Sequence, residues 1–210
     1  MNAAQPGRRA LAPAAVVGMI ASCALAAGLS AAPDRPTAPG PACGGTLWRM
    51  LTMSDAGAPE VQLLRVPTTI ADIAKLKPPT RIGLARSTDF QRHVWRLQVV
   101  VDRYRIASNG EIAFVLFSVD SSQYMNAYLA NPHCLSSKTR DRTGLIAARR
   151  SFMAHCPRPT TNWQLLGASV DVAGVGYWNP STATRGALPN GAELRPLTNF
   201  KIVSGCGVNP

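Results

Sequence analysis

The strongest constraint on this chain is the alternation over residues 94–106. Trp95, Leu97, Val99 and Val101 fall on one side, and Arg96, Gln98, Val100 and Asp102 on the other. A period of two predicts a β-strand with one buried face. Ser108-Asn109-Gly110 then reads as a hairpin turn, because Asn-Gly accepts positive φ. Residues 112–119 are apolar on both faces, as in a well-covered strand. Residues 124–129 alternate again, with Met125, Ala127 and Leu129 against Tyr124, Asn126 and Tyr128.

A helix follows. Asp141 or Thr143 can cap it, Leu145, Ile146, Phe152 and Met153 form one stripe, and Pro157 and Pro159 end it after His155. Residues 170–178 predict a fourth strand, in which Gly174 and Gly176 mark a sharp bend or a close backbone approach. Residues 193–203 predict a fifth, where Pro196 demands a bulge or an edge position. The fold class is mainly β with one helix (α+β). The order β-β-β-α-β-β is that of a five-stranded OB-like barrel, preceded by an N-terminal extension. Such barrels bind on strands two and three and on loops one-two and four-five, here residues 107–110 and 179–191.

Within the extension, residues 43–90, a short strand is expected around Trp48 and Met50 in residues 46–52, and another over 61–66. Ile70, Ile73, Ala74 and Leu76 have helical spacing behind Thr68 or Thr69 as cap, with Pro78-Pro79 as stop. The extension is expected to pack on the barrel of residues 91–206.

The N-terminus reads as an export signal over residues 1–23, or to about 26: a basic start with Arg8 and Arg9, then a short apolar run. Two cleavages compete. Ala24-Leu25-Ala26 suits ordinary signal peptidase, whereas Ile20-Ala21-Ser22-Cys23 resembles a lipobox that would lipidate Cys23. Residues 24–42 form a Pro/Ala-rich linker with little capacity to fold. In an exported chain the four remaining cysteines are expected in disulfides. Three pairings are open. The favoured one joins Cys134 to Cys156 across the helix and Cys43 to Cys206 at the domain ends. A zinc site is disfavoured, since no Cys-x-x-Cys occurs and His133 and His155 each adjoin a cysteine.

The formal charge is +11, and it stays near +9 without the leader. Such a surface favours anionic partners, although it also simply keeps a protein soluble. Tyr124 and Tyr128 share the outward face of the third strand, either as a platform or packed beneath the extension. Tyr177 and Trp178 stand at the base of the 179–191 loop, Arg185 midway along it, and Arg195 beyond it. Aromatics with cations suit single-stranded nucleic acid or a glycan. These six residues are the candidate binding set.

Catalytic patterns are sparse. No Gly-x-Ser-x-Gly elbow is present, and His93, His133 and His155 lack partners at readable spacing. Asp102, Asp120, Asp171 and Glu193, with Arg96, Arg103, Arg105 and Arg195, are the raw material for a metal-dependent phosphodiester hydrolase on a staphylococcal-nuclease-like barrel, but without its signature. No cofactor is expected. The leading expectation is a non-enzymatic exported module that binds an anionic envelope polymer, a nucleic acid or a partner protein. The membrane enters only through a lipid anchor.

Cys43-Gly-Gly-Thr-Leu-Trp48 with Thr52 and Asp55, then Pro67-Thr-Thr-Ile-Ala71, resemble the start of a bacterial exported family of unknown function. The likeness continues through residues 112–119, Asn131-Pro-His-Cys134, Gly174-Val-Gly-Tyr177 and Leu188-Pro-Asn-Gly-Ala-Glu-Leu194. It spans roughly residues 43–203 and implies export and a shared fold, not a reaction. The family's usual pattern has a His-Gly loop after strand four and a His-Pro pair in strand five. This chain instead has Asn179-Pro-Ser-Thr-Ala-Thr-Arg-Gly186, and Arg195 precedes Pro196.

Overall fold

The computed structural model describes residues 43–206. The expected leader, its two cleavage sites, Cys23 and the linker lie outside the described residues. In order, the chain forms α1 (Trp48–Leu51), β1 (Gln62–Pro67), α2 (Ile70–Ala74), α3 (Asp89–Arg92), β2 (His93–Ile106), β3 (Ile112–Ser118), β4 (Gln123–Leu129), α4 (Arg142–His155), β5 (Gln164–Trp178) and β6 (Ala192–Ser204). The fold is mainly β, and its six strands make one sheet.

Five of the strands form a closed ring of pairings. β2 pairs antiparallel with β3, and β3 with β4. β4 meets β6 in a short parallel contact, Asn126 opposite Glu193 and Ala127 opposite Leu194. β6 runs antiparallel to β5, and β5 returns antiparallel to β2. β1 stands outside the ring. It lies parallel to the first residues of β2, from His93 to Arg96, and β3 joins β2 only from Val100 onward. Part of the extension is therefore a strand of the sheet itself.

Side-chain alternation directs the core into the ring. Leu97, Val101, Phe114, Leu116, Met125, Ala127, Val172 and Leu194 are buried there. In β2 the register shifts between Val101 and Arg103 against both neighbours, so β2 carries a bulge. The bulge lets Val101 and Tyr104 both be buried, while Asp102 and Arg103 pair with each other. Between the pairs Gly176–Leu194 and Gly174–Leu197, Arg195 and Pro196 of β6 stand opposite the single residue Val175 of β5, so a bulge includes Pro196 as expected.

Asp141 caps α4, accepting from the Gly144 N–H at 3.2 Å. The helix buries Leu145, Ala148 and Phe152, whereas Met153 is exposed. The Phe152 ring lies 5.1–5.5 Å from those of Tyr104, Phe114 and Phe200, each edge-on. Three strands thus meet one helical side chain, in the geometry that aromatic quadrupoles favour.

α3 packs on β5 at Gly176, where any Cβ would collide with the Phe90 carbonyl. The same carbonyl accepts from Trp95 Nε1 at 2.9 Å. The Phe90 and Trp178 rings are 4.8 Å apart.

Three expectations are corrected. First, residues 46–52 do not form a strand. The backbone N–H of Leu51 and Thr52 donates to Leu47 and Trp48 carbonyls, which gives the helical turn α1. Second, β5 starts at Gln164 rather than at residue 170. Its first residues pair with β2 beyond the bulge, where exposed Leu165 and the positive φ of Gly167 interrupt the alternation. Third, the disulfides are Cys43–Cys134 and Cys156–Cys206. Cys134 ends the 3-10 turn Pro132–Cys134 after β4, and its partner is the start of the extension. Cys156 is the C-cap of α4, which packs along β6, so it meets Cys206, two residues past the end of that strand.

Candidate functional site

The loop of residues 179–191 folds back over the outer face of β3 and β4. Its ends are joined by the Asn179 N–H donating to the Gly191 carbonyl at 2.8 Å. Asn190 Nδ2 lies 2.9–3.2 Å from the carbonyls of Ile73, Ala74 and Leu76, at and just past the C-terminal end of α2. Asn126 Nδ2 donates to Thr184 Oγ1 at 3.0 Å. Beneath the loop, Val115 and Asn126 are buried although they point away from the ring interior.

Gly186 makes this seating possible. Its φ is +76°, and a Cβ there would lie 2.6 Å from Val115 Cγ1 and 2.9 Å from Asn126 Oδ1. Gly186→Ala should therefore lift the loop and cost about 1–3 kcal/mol, from backbone strain and steric overlap together. Amide hydrogen exchange checks this. The Val115 and Asn126 amides should exchange faster in the variant, and unchanged rates would show that the loop is not held by this contact.

One repeat further along the strands the face is open. Phe117 and Tyr124 are paired across β3 and β4, their ring centroids are 4.9 Å apart, and Tyr124 is 44% exposed. Arg185 is exposed between the two loop residues, Thr184 and Gly186, that touch Asn126.

At the other end of the same face lies a buried charge cluster. Arg195 donates from Nε and one terminal nitrogen to both oxygens of Glu111, and its other terminal nitrogen is 3.5 Å from Glu193 Oε1. The Arg195 guanidinium lies 4.2 Å from the centre of the Tyr128 ring. Tyr177 is directly opposite Glu193 in the β5–β6 ladder and packs on Met50 and Leu51 of α1. Asn179 Nδ2 donates to Glu193 Oε2 at 3.1 Å, which ties the loop's first residue to the cluster.

Burial pushes the Glu193 carboxyl up to about 7, against the opposing pull of Arg195 and the Asn179 hydrogen bond. Burial opposes the Arg195 charge as well, but Glu111 and Glu193 hold its guanidinium protonated above its ordinary range. Burial also raises Tyr128 and Tyr177, the latter to about 12, and the field of Glu193 adds to both.

The six candidate residues thus divide. Tyr128, Tyr177 and Arg195 come together in the charge cluster, with Tyr177 buried. Tyr124 and Arg185 remain open beside the loop. Trp178 is excluded from any binding face. It is 1% exposed, packs on Phe90, and donates from Nε1 to Thr88 Oγ1 at 2.9 Å. It alternates with Tyr177, so it faces the opposite side of β5 and joins the main core. Glu111 is the residue that sequence reasoning did not single out, whereas Asn126 and Asn179 enter it only as a position on the outward face and as the first residue of the loop. Glu111 directly follows Asn109-Gly110, and a carboxylate at a strand start with an arginine on another strand carries no readable spacing.

The carboxylates weighed for a metal site do not assemble. Asp171 pairs with Arg96, Asp102 with Arg103, and Glu193 with Arg195. Among the described residues no three His, Cys, Asp or Glu side chains converge as a metal site would require. Also among them, no helix is long and apolar enough to cross a membrane. Two disulfides are compatible with an exported or extracellular protein. Neither a protein-family model nor a characterised protein matches the chain.

Proposed function

We propose that this chain is an exported, non-enzymatic binding module on an OB-like barrel, and that it takes an anionic envelope polymer on the outer face of β3 and β4. The closed pairing order β2-β3-β4-β6-β5, with α4 between the third and fourth ring strands, supports the barrel reading. In such barrels that face and the loop between the last two strands carry oligosaccharide and oligonucleotide ligands. Here the chain's own loop covers the part of the face at Val115 and Asn126. The exposed Phe117–Tyr124 ring pair, two residues along β3 and β4 from the Val115 and Asn126 positions where the Arg185-bearing loop is seated, is the observation that carries the proposal, because an open aromatic face with a cation in the neighbouring loop suits the flat face of a sugar and its acidic group. A partner protein is the other occupant that a basic surface would serve.

Retention on immobilised polygalacturonate tests this reading. The full chain should bind and elute with salt, and Tyr124→Ala/Arg185→Ala should elute at clearly lower salt. Unchanged elution would remove the face, and a chain that is not retained would turn the reading toward a protein partner. Export itself is checked by mass spectrometry of the mature chain. A start at Cys23 with a lipid mass, or at Ala27 without one, agrees with the proposal, and an intact Met1 start contradicts it.

A further inference from the structure

A second concavity lies elsewhere. It has a volume of about 700 Å³ and lies between α1, the segment that follows it and the residues after β4, and Trp48, Arg49, Asp55, Ser136, Lys138 and Arg140 line it. That size is typical of small-molecule sites. Its electrostatics are one-sided. Arg49, Lys138 and Arg140 are in no ion pair among the described residues. Asp55 is the single carboxylate in the lining, and it is already engaged. Both of its oxygens accept from buried Arg86, at 2.8 and 3.1 Å. Two further donors of Arg86 go to the carbonyls of Gln91 and Met50, each at 3.0 Å. The wall is thus rigid where it is neutral and cationic where it is open.

Two further features point to a ligand. The Arg140 Nε is shielded from solvent and has no acceptor among the described residues, although the Arg140 backbone is fixed by donating to the Met53 carbonyl at 2.8 Å. The terminal nitrogens of Arg140 make no side-chain hydrogen bond or ion pair among the described residues, so they are the donors left for an arriving oxyanion. Half-buried Trp48 supplies an indole face at the rim.

We infer that this cavity binds an acidic residue of an oligosaccharide, with the three cations on its carboxylate or acidic ester and Trp48 against a sugar ring. The site goes beyond the β3–β4 face and does not depend on it. A sugar acid fits better than single-stranded nucleic acid for two reasons. Trp48 is the only aromatic ring in the lining, whereas strand binding uses a ring for each successive base. Cys134, bridged to Cys43, also forms part of the wall, which suits an oxidising compartment, where an extracellular glycan is within reach.

Tryptophan fluorescence of the oxidised full chain tests this, with trigalacturonate, neutral galactotriose and hexathymidylate as probes. Trigalacturonate should change the emission and the neutral trimer should not. Trp48→Phe should abolish the change. Arg49→Glu and Lys138→Glu alter exposed side chains, so the fold should survive, and each should weaken binding by at least about tenfold. Tyr124→Ala should leave the affinity unchanged. No response to trigalacturonate, an equal response to galactotriose, or tighter binding of hexathymidylate would overturn the inference. So would charge reversals that leave affinity within about twofold. Loss of binding in Tyr124→Ala with Lys138→Glu unaffected would overturn it too, while the reading of the β3–β4 face would stand.

Discussion

Replacing Arg195 with Met should destabilise the protein by about 3–5 kcal/mol at pH 8, the range for removing one partner of a buried charge group. Arg195 is shared by two carboxylates that are almost wholly buried, Glu111 and Glu193, with side chains 1% and 2% exposed. Methionine keeps much of the length and packing but leaves both acids without their cation. The effect should depend on pH. The Glu193 carboxyl titrates near 7 in the folded chain and at 4.5 in its ordinary state, chiefly because burial disfavours the charge. The folded state therefore holds a proton that the unfolded state releases between these values. Stability linked to Glu193 is fully present below pH 4.5 and is lost as pH rises through 7. Arg195 opposes that shift, so its removal should raise the Glu193 carboxyl further and make the variant's deficit smaller at pH 5 than at pH 8. Urea unfolding at the two pH values measures this. A cost below about 1 kcal/mol, or one equal at both values, would contradict the described cluster. Glu193→Gln should flatten the wild-type slope between pH 5 and 7.

Loss of either disulfide should be comparably large. The bridges span 91 residues (Cys43–Cys134) and 50 residues (Cys156–Cys206). Loops of these lengths correspond to about 4–5 kcal/mol of unfolded-state entropy, with 2–5 kcal/mol the usual measured loss. The two should differ in kind. Cys156→Ala/Cys206→Ala releases the end of β6 from the C-terminus of α4, beside the Phe152 aromatic cluster, so global unfolding should shift. Cys43→Ala/Cys134→Ala frees the start of the extension next to the cationic cavity, so anion binding should weaken as well. Denaturation of each variant and peptide mapping of the oxidised chain check this. A peptide linking Cys134 to Cys156 would contradict the described pairing.

The ring strands were legible because each buries one face. Period-two alternation in β2 and β4 and the turn at Asn109-Gly110 place three strands, and Gly176 and Pro196 mark the approach and the bulge seen in β5 and β6. Thr69 was readable as a cap, and it accepts from the Asp72 N–H at 3.1 Å. The start of β5 was not legible, because Leu165 is exposed and Gly167 breaks the period. The disulfide pairing was not legible either. It depends on where α4 lies against β6, a long-range packing fact that cysteine spacing does not encode. For the site, outward alternation placed Tyr124 and Tyr128 correctly on one face. What covers that face depends on the path of the 179–191 loop and on the Asn190 contacts to α2, more than 110 residues away in sequence. Glu111 was overlooked for the same reason, since its partner Arg195 is 84 residues distant.

The central functional claim is that an acidic polymer lies along the part of the β3–β4 face that the loop leaves open. Amide chemical-shift mapping with oligogalacturonate measures this directly. The account predicts the largest shifts at Phe117, Ser118, Tyr124 and Arg185, with little change at Val115 and Asn126 beneath the loop. Shifts that avoid Tyr124 and Arg185, or none at all, would contradict it.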